Sequence, residues 1–203
     1  LKSGLTTLAG KALAGTPGYA FNTGGPAIQK SLPNSWEPID EQQVFILGLD
    51  APAKPETILK NAWCSVSGIN EPLPVQIITG DKRRQILEVR KDFMEQYFRG
   101  IVKFAGHTLE IVFGIPVAGS EQEKFLKLRD GANSPIVVLQ CQRPFPNEAE
   151  VKLVWGKGIE SSSGSPTSEQ QALPFKVRPA FSAQFHCERA NKDAQCIPVL
   201  PMT

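Results

Sequence analysis

Histidines, cysteines, tryptophans and a serine run are the residues of this 203-residue chain whose chemistry could be put to use. There are two histidines, His107 and His186. A general base needs a nucleophile within reach, and the sequence identifies none for either, so both read as surface or structural residues and no catalytic residue is assigned. Two histidines also rule out a His-rich metal site. The four cysteines, Cys64, Cys141, Cys187 and Cys196, lack the close CxxC pairs of structural zinc, so neither a metal nor a cofactor is expected. An even cysteine count suits two disulfides and an oxidising compartment. Cys187 and Cys196 flank the polar stretch ERANKDAQ, and a bridge there closes a loop at its neck, worth roughly 2.5–3 kcal/mol in the chain-entropy model. Cys64 and Cys141 each fall on an apolar strand face. They read either as a bridge between two sheets, worth about 4 kcal/mol, or as two separate buried thiols.

Ser161–Ser163 with Gly164 looks superficially like a phosphate loop, but no GxxxxGK[ST] is present, and the stretch reads as a connection before a strand. Trp36, Trp63 and Trp155 offer stacking surfaces for a sugar. Trp155, however, alternates with Val151 and Leu153 and reads as core, Trp63 as partly exposed, and Trp36 sits in the linker PNSWEPID. The run Asp81–Gln85 (DKRRQ) reads as a charged turn. With 22 basic and 20 acidic residues the net charge is +2, which gives no electrostatic footprint for nucleic acid or an anionic membrane. No run of about 18 apolar residues is present to span a bilayer.

Period-two alternation places the strands. Val44–Asp50 (VFILGLD) is apolar on both faces, like a central strand. Ala62, Cys64 and Val66 share a face, and Val75 and Ile77 follow. Thr79-Gly80-Asp81 then reads as a hairpin turn before a strand over Gln85–Arg90. Val137, Leu139 and Cys141 share a face, as do Val151, Leu153 and Trp155, and then Leu173, Phe175 and Val177. Strands at this spacing predict a mainly-β fold, an antiparallel immunoglobulin-like sandwich. Residues 92–134 depart from it as a small α/β insertion: a helix over Asp92–Arg99 capped by Asp92 and ended by Gly100, a strand over His107–Phe113, and a helix over Ser120–Asp130 with a Ser120/Glu123 capping box.

An internal repeat sets the expected boundaries. At an offset of 154 (158 − 4), Gly4 meets Gly158, Gly10 meets Gly164, Phe21 meets Phe175 and Thr23 meets Val177. Residues 1–26 then read as the end of one sandwich domain, 27–180 as a nearly complete one, and 181–203 as the start of a third. With Leu1 first and an apolar stretch just before Met202, the chain reads as a piece of something longer.

Five long strings carry a family resemblance: Phe21–Ile28 (FNTGGPAI), Asp40–Pro52 (DEQQVFILGLDAP), Asn61–Ile69 (NAWCSVSGI), Leu139–Ile159 (LQCQRPFPNEAEVKLVWGKGI) and Phe175–Thr203 (FKVRPAFSAQFHCERANKDAQCIPVLPMT). They resemble the N-terminal region of bacterial alpha-2-macroglobulins, over most of the chain and least over 92–134. The resemblance implies a macroglobulin-like sandwich in a much longer periplasmic protein, anchored to the membrane through its N-terminus or free. That protein is an endopeptidase inhibitor: cleavage of a bait region collapses it around the attacking protease, and some members add a reactive thioester. The family's thioester has a Cys followed two places on by Glu-Gln. Here the residues after the four cysteines are Ser-Val, Gln-Arg, Glu-Arg and Ile-Pro, so no thioester lies in this segment. Nor is a bait region assignable. The expected role is a non-catalytic scaffold domain whose partners are neighbouring domains of its own chain and, through the full-length protein, target proteases. The alternative is an immunoglobulin-like repeat of a bacterial surface protein or adhesin that binds a cell-surface or wall ligand.

Overall fold

Apolar residues at consecutive rather than alternate positions set the architecture. In the strand Val44–Leu49, Phe45, Leu47 and Leu49 are buried on one face and Ile46 on the other. In Ile136–Cys141, Val137, Leu139 and Cys141 face one way, Ile136 and Val138 the other. Such strands must be covered on both sides, and the fold supplies a second sheet layer on one side and a layer of helices on the other. The computed structural model describes residues 24–104, 121–131, 133–182, 186–188, 191–194 and 197–199.

Eight strands form one curled sheet: β1 (Ile28–Leu32), β2 (Pro38–Ile39), β3 (Val44–Leu49), β4 (Ala62–Val66), β5 (Ile69–Ile77), β6 (Ile136–Cys141), β7 (Glu150–Trp155) and β8 (Gln171–Val177). Their spatial order is β1-β3-β6-β5-β4-β7-β8-β2. Every neighbouring pair is antiparallel except β2 and β8, which are parallel. A separate antiparallel pair, β9 (His186–Glu188) and β10 (Ile197–Val199), follows. Strand β5 is the corner. Its first part pairs with β4 (Cys64 opposite Leu73), its last part with β6 (Val75 opposite Cys141). The sheet thereby folds into two layers, β1-β3-β6 and β4-β7-β8-β2, with a shared core that includes Phe45, Leu47, Leu139, Leu153, Trp155 and Phe175. The Phe45 and Phe175 rings meet in it at 5.1 Å between centroids. The fold is mainly β, as expected, and each of the shared faces anticipated for β4, β6, β7 and β8 packs into this core.

The helical region begins earlier than expected. Residues 79–90 do not make a hairpin: Gly80–Val89 is a helix, α2, and Lys82, Arg83 and Arg84 lie in its first turns. Two physical signals favour it. The run KRRQ has good helix propensity. Ile86 and Leu87 continue a helical spacing that runs on through Phe93, Met94 and Tyr97, and all five pack in one cluster. The short helix α1 (Pro55–Asn61), with proline in its first turn, also lies where no element was expected. Helix α3 spans Lys91–Phe104, so Asp92 stands in its first turn rather than at the cap, and the helix runs through Gly100. A lone glycine costs a helix only about 1 kcal/mol. Helix α4 spans Glu121–Asp130, close to expectation. The strand expected over 107–113, most of residues 1–26 and the capping residue Ser120 lie outside the described residues.

The helices leave from Ile77 and return to Ile136, between strands that pair with each other, and cover the outer face of β3 and β6. Ile46, Ile136 and Val138 pack there against Leu87, Phe93, Met94 and Phe125. Tyr97 anchors the layer: its ring lies on Gly48, and its hydroxyl donates to the Leu49 carbonyl. Burial, with Asp50 nearby, raises the phenol's pKa well above its ordinary value, so it stays a donor. Arg83 ties the helices together, donating to the Arg129 carbonyl, to Ser134 Oγ at 3.1 Å and to the Ile136 carbonyl at 3.1 Å. Lys91 and Arg129 sit 5.3 and 5.7 Å from the centre of the Phe125 ring.

A Cβ on residue 48 would stand 2.5 Å from the Tyr97 ring. Gly48→Ala is therefore expected to lose at least 1–3 kcal/mol, the usual range of overpacking. Tyr97→Phe, which removes only the hydroxyl, should lose about 1 kcal/mol. Urea denaturation measures both, and a negligible loss for Gly48→Ala would contradict the anchoring role of the ring.

Candidate functional site

Cys64 on β4 and Cys141 on β6 form a disulfide, with Cα atoms 6.3 Å apart and a sequence separation of 77. It joins the two layers across the corner strand, resolving the two readings left open by the sequence in favour of the bridge. Cys187 lies on β9 opposite Pro198 of β10. Cys196 is outside the described residues, and so is the bridge expected between them. His107 is also outside them, and His186 opens β9 opposite Val199. Among the described residues, no three His, Cys, Asp or Glu side chains are grouped to hold a metal, and no helix is long and apolar enough to cross a membrane.

The tryptophans fall in three different settings. Trp155 is buried, and its Nε1–H donates to the Pro26 carbonyl at 2.7 Å. Trp63 is half-buried on β4, between Pro74 of β5 and Val154 of β7. Trp36 is 79% exposed on the link between β1 and β2. They form no common stacking platform. The serine run lies in the connection between β7 and β8 as expected, with the Ser161 and Ser163 hydroxyls 2.8 Å apart.

The site that sequence reasoning missed is built around that β1–β2 link. Strands β1 and β2 are consecutive in the chain but lie at opposite ends of the sheet order, so residues 33–37 cross from one layer to the other. The crossing is a tight turn. Asn34 donates to the Glu37 carboxylate from its backbone N–H at 3.0 Å and from its side chain at 2.7 Å, and Glu37 N–H donates back to the Asn34 carbonyl at 3.1 Å. Trp36 N–H is pinned to the Pro174 carbonyl of β8 at 2.9 Å. These bonds hold Trp36 at φ 74°, a left-handed conformation that a bulky residue rarely adopts. The one signal for this in the sequence was a polar, Pro-flanked tryptophan.

A cleft opens on each side of the link. One, of about 600 Å³, has Leu32, Pro33, Val44, Ile86 and Val89 as its apolar walls, with Glu37, Asp40, Arg90 and Arg178 among its polar ones. The other, of about 480 Å³, runs along β1 and also reaches Phe93 of α3 and Leu173 of β8. Leu32 and Arg90 line both, so the clefts meet as one bent groove with Arg90 at the elbow. Arg90 is the residue between α2 and α3. Its N–H donates to the Leu87 carbonyl, and its own carbonyl accepts from Met94 N–H. Among the described residues that line it, no nucleophile is hydrogen-bonded to a base.

The protein-family and curated-protein comparisons give no match. Two solved structures are similar at a low level. One, the structure of surface layer protein SbsC, domains 1–6, is 10% identical at a TM-score of 0.38, over 80% of this chain and 15% of that one. The other, the S-layer protein rSbsC(31-844), is 9% identical at 0.38, over 85% of this chain and 19% of that one. This chain spans less than a fifth of either. Likeness at this score carries no argument about fold or function.

The two bonds from Asn34, the side-chain one first, hold the Glu37 carboxyl below its ordinary value of 4.5. A carboxyl whose pKa is depressed by folding stabilises above its unfolded value and loses that contribution as pH falls through the folded one. The turn is therefore expected to stay closed from neutral pH to about 4.5 and to loosen only below it. Followed by NMR, the Asn34 side-chain amide should be flat to that point and shift at lower pH. A midpoint at or above 4.5 would contradict the clamp.

Proposed function

We propose that the chain is a non-catalytic scaffold module of a bacterial alpha-2-macroglobulin-like endopeptidase inhibitor in the periplasm. Residues 27–180 would form the module, and 1–26 and 181–203 would belong to its neighbours. The observation that carries the reading is the set of five long strings that resemble that family, which fall largely on the sandwich rather than on the helical layer. Two structural features support it. A disulfide across the core suits an oxidising compartment. The sandwich also receives and releases the chain at opposite poles, as an in-line module needs. The chain enters beside the start of β8, where Gln171 bonds both the N–H and the carbonyl of Ile28. It leaves past the end of β8, about 20 Å away at 3.3 Å per residue. Both ends are tied down: Ala27 N–H donates to Asp50 Oδ1 at 2.7 Å, and Arg178 N–H to the Ile39 carbonyl at 2.9 Å. Bait region and any thioester would lie elsewhere in the parent.

The test is the parent protein. Its reading frame should continue beyond Thr203 into further sandwich domains. The purified parent, treated with trypsin, should leave trypsin active on a small chromogenic peptide and inactive on casein. A frame that stops shortly after Thr203, or a parent that leaves casein hydrolysis intact, would overturn the reading. A parent made of like repeats that binds cell-wall material would favour the surface-protein alternative.

A further inference from the structure

The groove around the β1–β2 link has a charge pattern that its surroundings do not neutralise. The two carboxylates of the first cleft are already engaged: Glu37 accepts from Asn34, and Asp40 pairs with Arg178 at 3.2 Å. Among the described residues the Arg90 guanidinium at the elbow has no hydrogen-bond or ion-pair partner, although its backbone is fixed at the α2–α3 junction. Lys30 on β1 lines the second cleft and, among the described residues, reaches only the Gln96 carbonyl, at 3.5 Å. Asp92, also in that cleft, stands in the first turn of α3, where the helix dipole favours a negative charge. With Arg90 and Lys30 set against Asp92, the groove keeps a net uncommitted positive charge beside apolar wall.

Its shape adds a second constraint. The second cleft follows β1 along its whole length, and among the described residues β1 is hydrogen-bonded as a strand only to β3. On the far side, Gln171 occupies the Ile28 main chain with a side-chain amide, and among the described residues no strand covers the rest. An exposed strand edge recognises extended backbone. The bulge between Ile28 and Lys30, and Lys30 itself, oppose pairing with the same edge of a second copy. Val89, 76% exposed at the rim, offers an apolar contact next to Arg90.

We propose that this bent groove docks an extended, acidic segment of a partner polypeptide, with a carboxylate on Arg90 and an apolar side chain against Leu32, Ile86 and Val89. Trp36, rigid and exposed on the turn between the two clefts, is placed to pack over such a segment, as tryptophans at interface hot spots do. The proposal does not depend on the macroglobulin reading.

Isothermal titration calorimetry with two synthetic hexapeptides tests it, one alternating glutamate and valine, the other lysine and valine. The glutamate peptide is expected to bind saturably and the lysine peptide to show no saturable binding. Arg90→Glu, at an exposed position, should weaken the glutamate peptide by about tenfold or more. Val89→Asp should weaken it as well, and both variants should keep the wild-type circular dichroism. No saturable binding to the folded wild type, equal binding of the two peptides, or binding indifferent to Arg90→Glu would overturn the proposal. So would concentration-dependent dimerisation that Arg90→Glu abolishes, which would make a second copy the occupant.

Discussion

Strands β3 and β6 are apolar on both faces, and most of the structure follows from having to cover them twice. The inner face is met by the β4-β7-β8 layer, the outer one by α2, α3 and α4. At roughly 1.5–3 kcal/mol for each fully buried aliphatic side chain, leaving Ile46, Ile136 and Val138 wet would forfeit an amount comparable with the whole net stability of a domain, about 5–15 kcal/mol. The helices between β5 and β6 are thus a structural layer and not an ornament on a loop. Gly48 is the point where the requirement is sharpest, since only a residue without a side chain lets Tyr97 lie flat on the sheet.

The second constraint is the corner. Strand β5 passes from one layer to the other with Leu73 beside Cys64 and Val75 beside Cys141. The disulfide spans that corner and prevents the layers from parting there. At the opposite side the chain itself crosses in the β1–β2 link, fastened by hydrogen bonds of Asn34, Glu37, Trp36 and Gln171. One closure is a buried cross-link, the other a polar turn at the surface. That difference explains why the groove lies at the second.

The strands were legible in the sequence because their two-residue period is strong: Cys64 with Val66, Val151 with Leu153 and Trp155, and the double-faced VFILGL all pack as read. The error at 79–90 came from treating Gly80 as a turn centre, when the apolar spacing of Ile86, Leu87, Phe93 and Tyr97 was already helical. Helix α1 escaped because seven residues with one buried side chain, Ile58, leave too little periodicity to read. The groove was not legible at all. Lys30 and Trp36 share one stretch of chain, but Arg90 stands more than fifty residues on, and only the crossing of the β1–β2 link brings them to one surface.

The claim that the outer face of β3 and β6 dictates the helical layer can be tested by removing that layer. Residues 80–130 can be replaced by a short Gly-Ser linker, because Ile77 and Leu139 are directly paired and their ends need only a loop between them. The dye ANS then reports exposed apolar surface, and sedimentation reports association. A variant that binds ANS strongly and self-associates, with its disulfide still formed, is the predicted result. A monomeric, ANS-silent variant with wild-type stability would contradict the account.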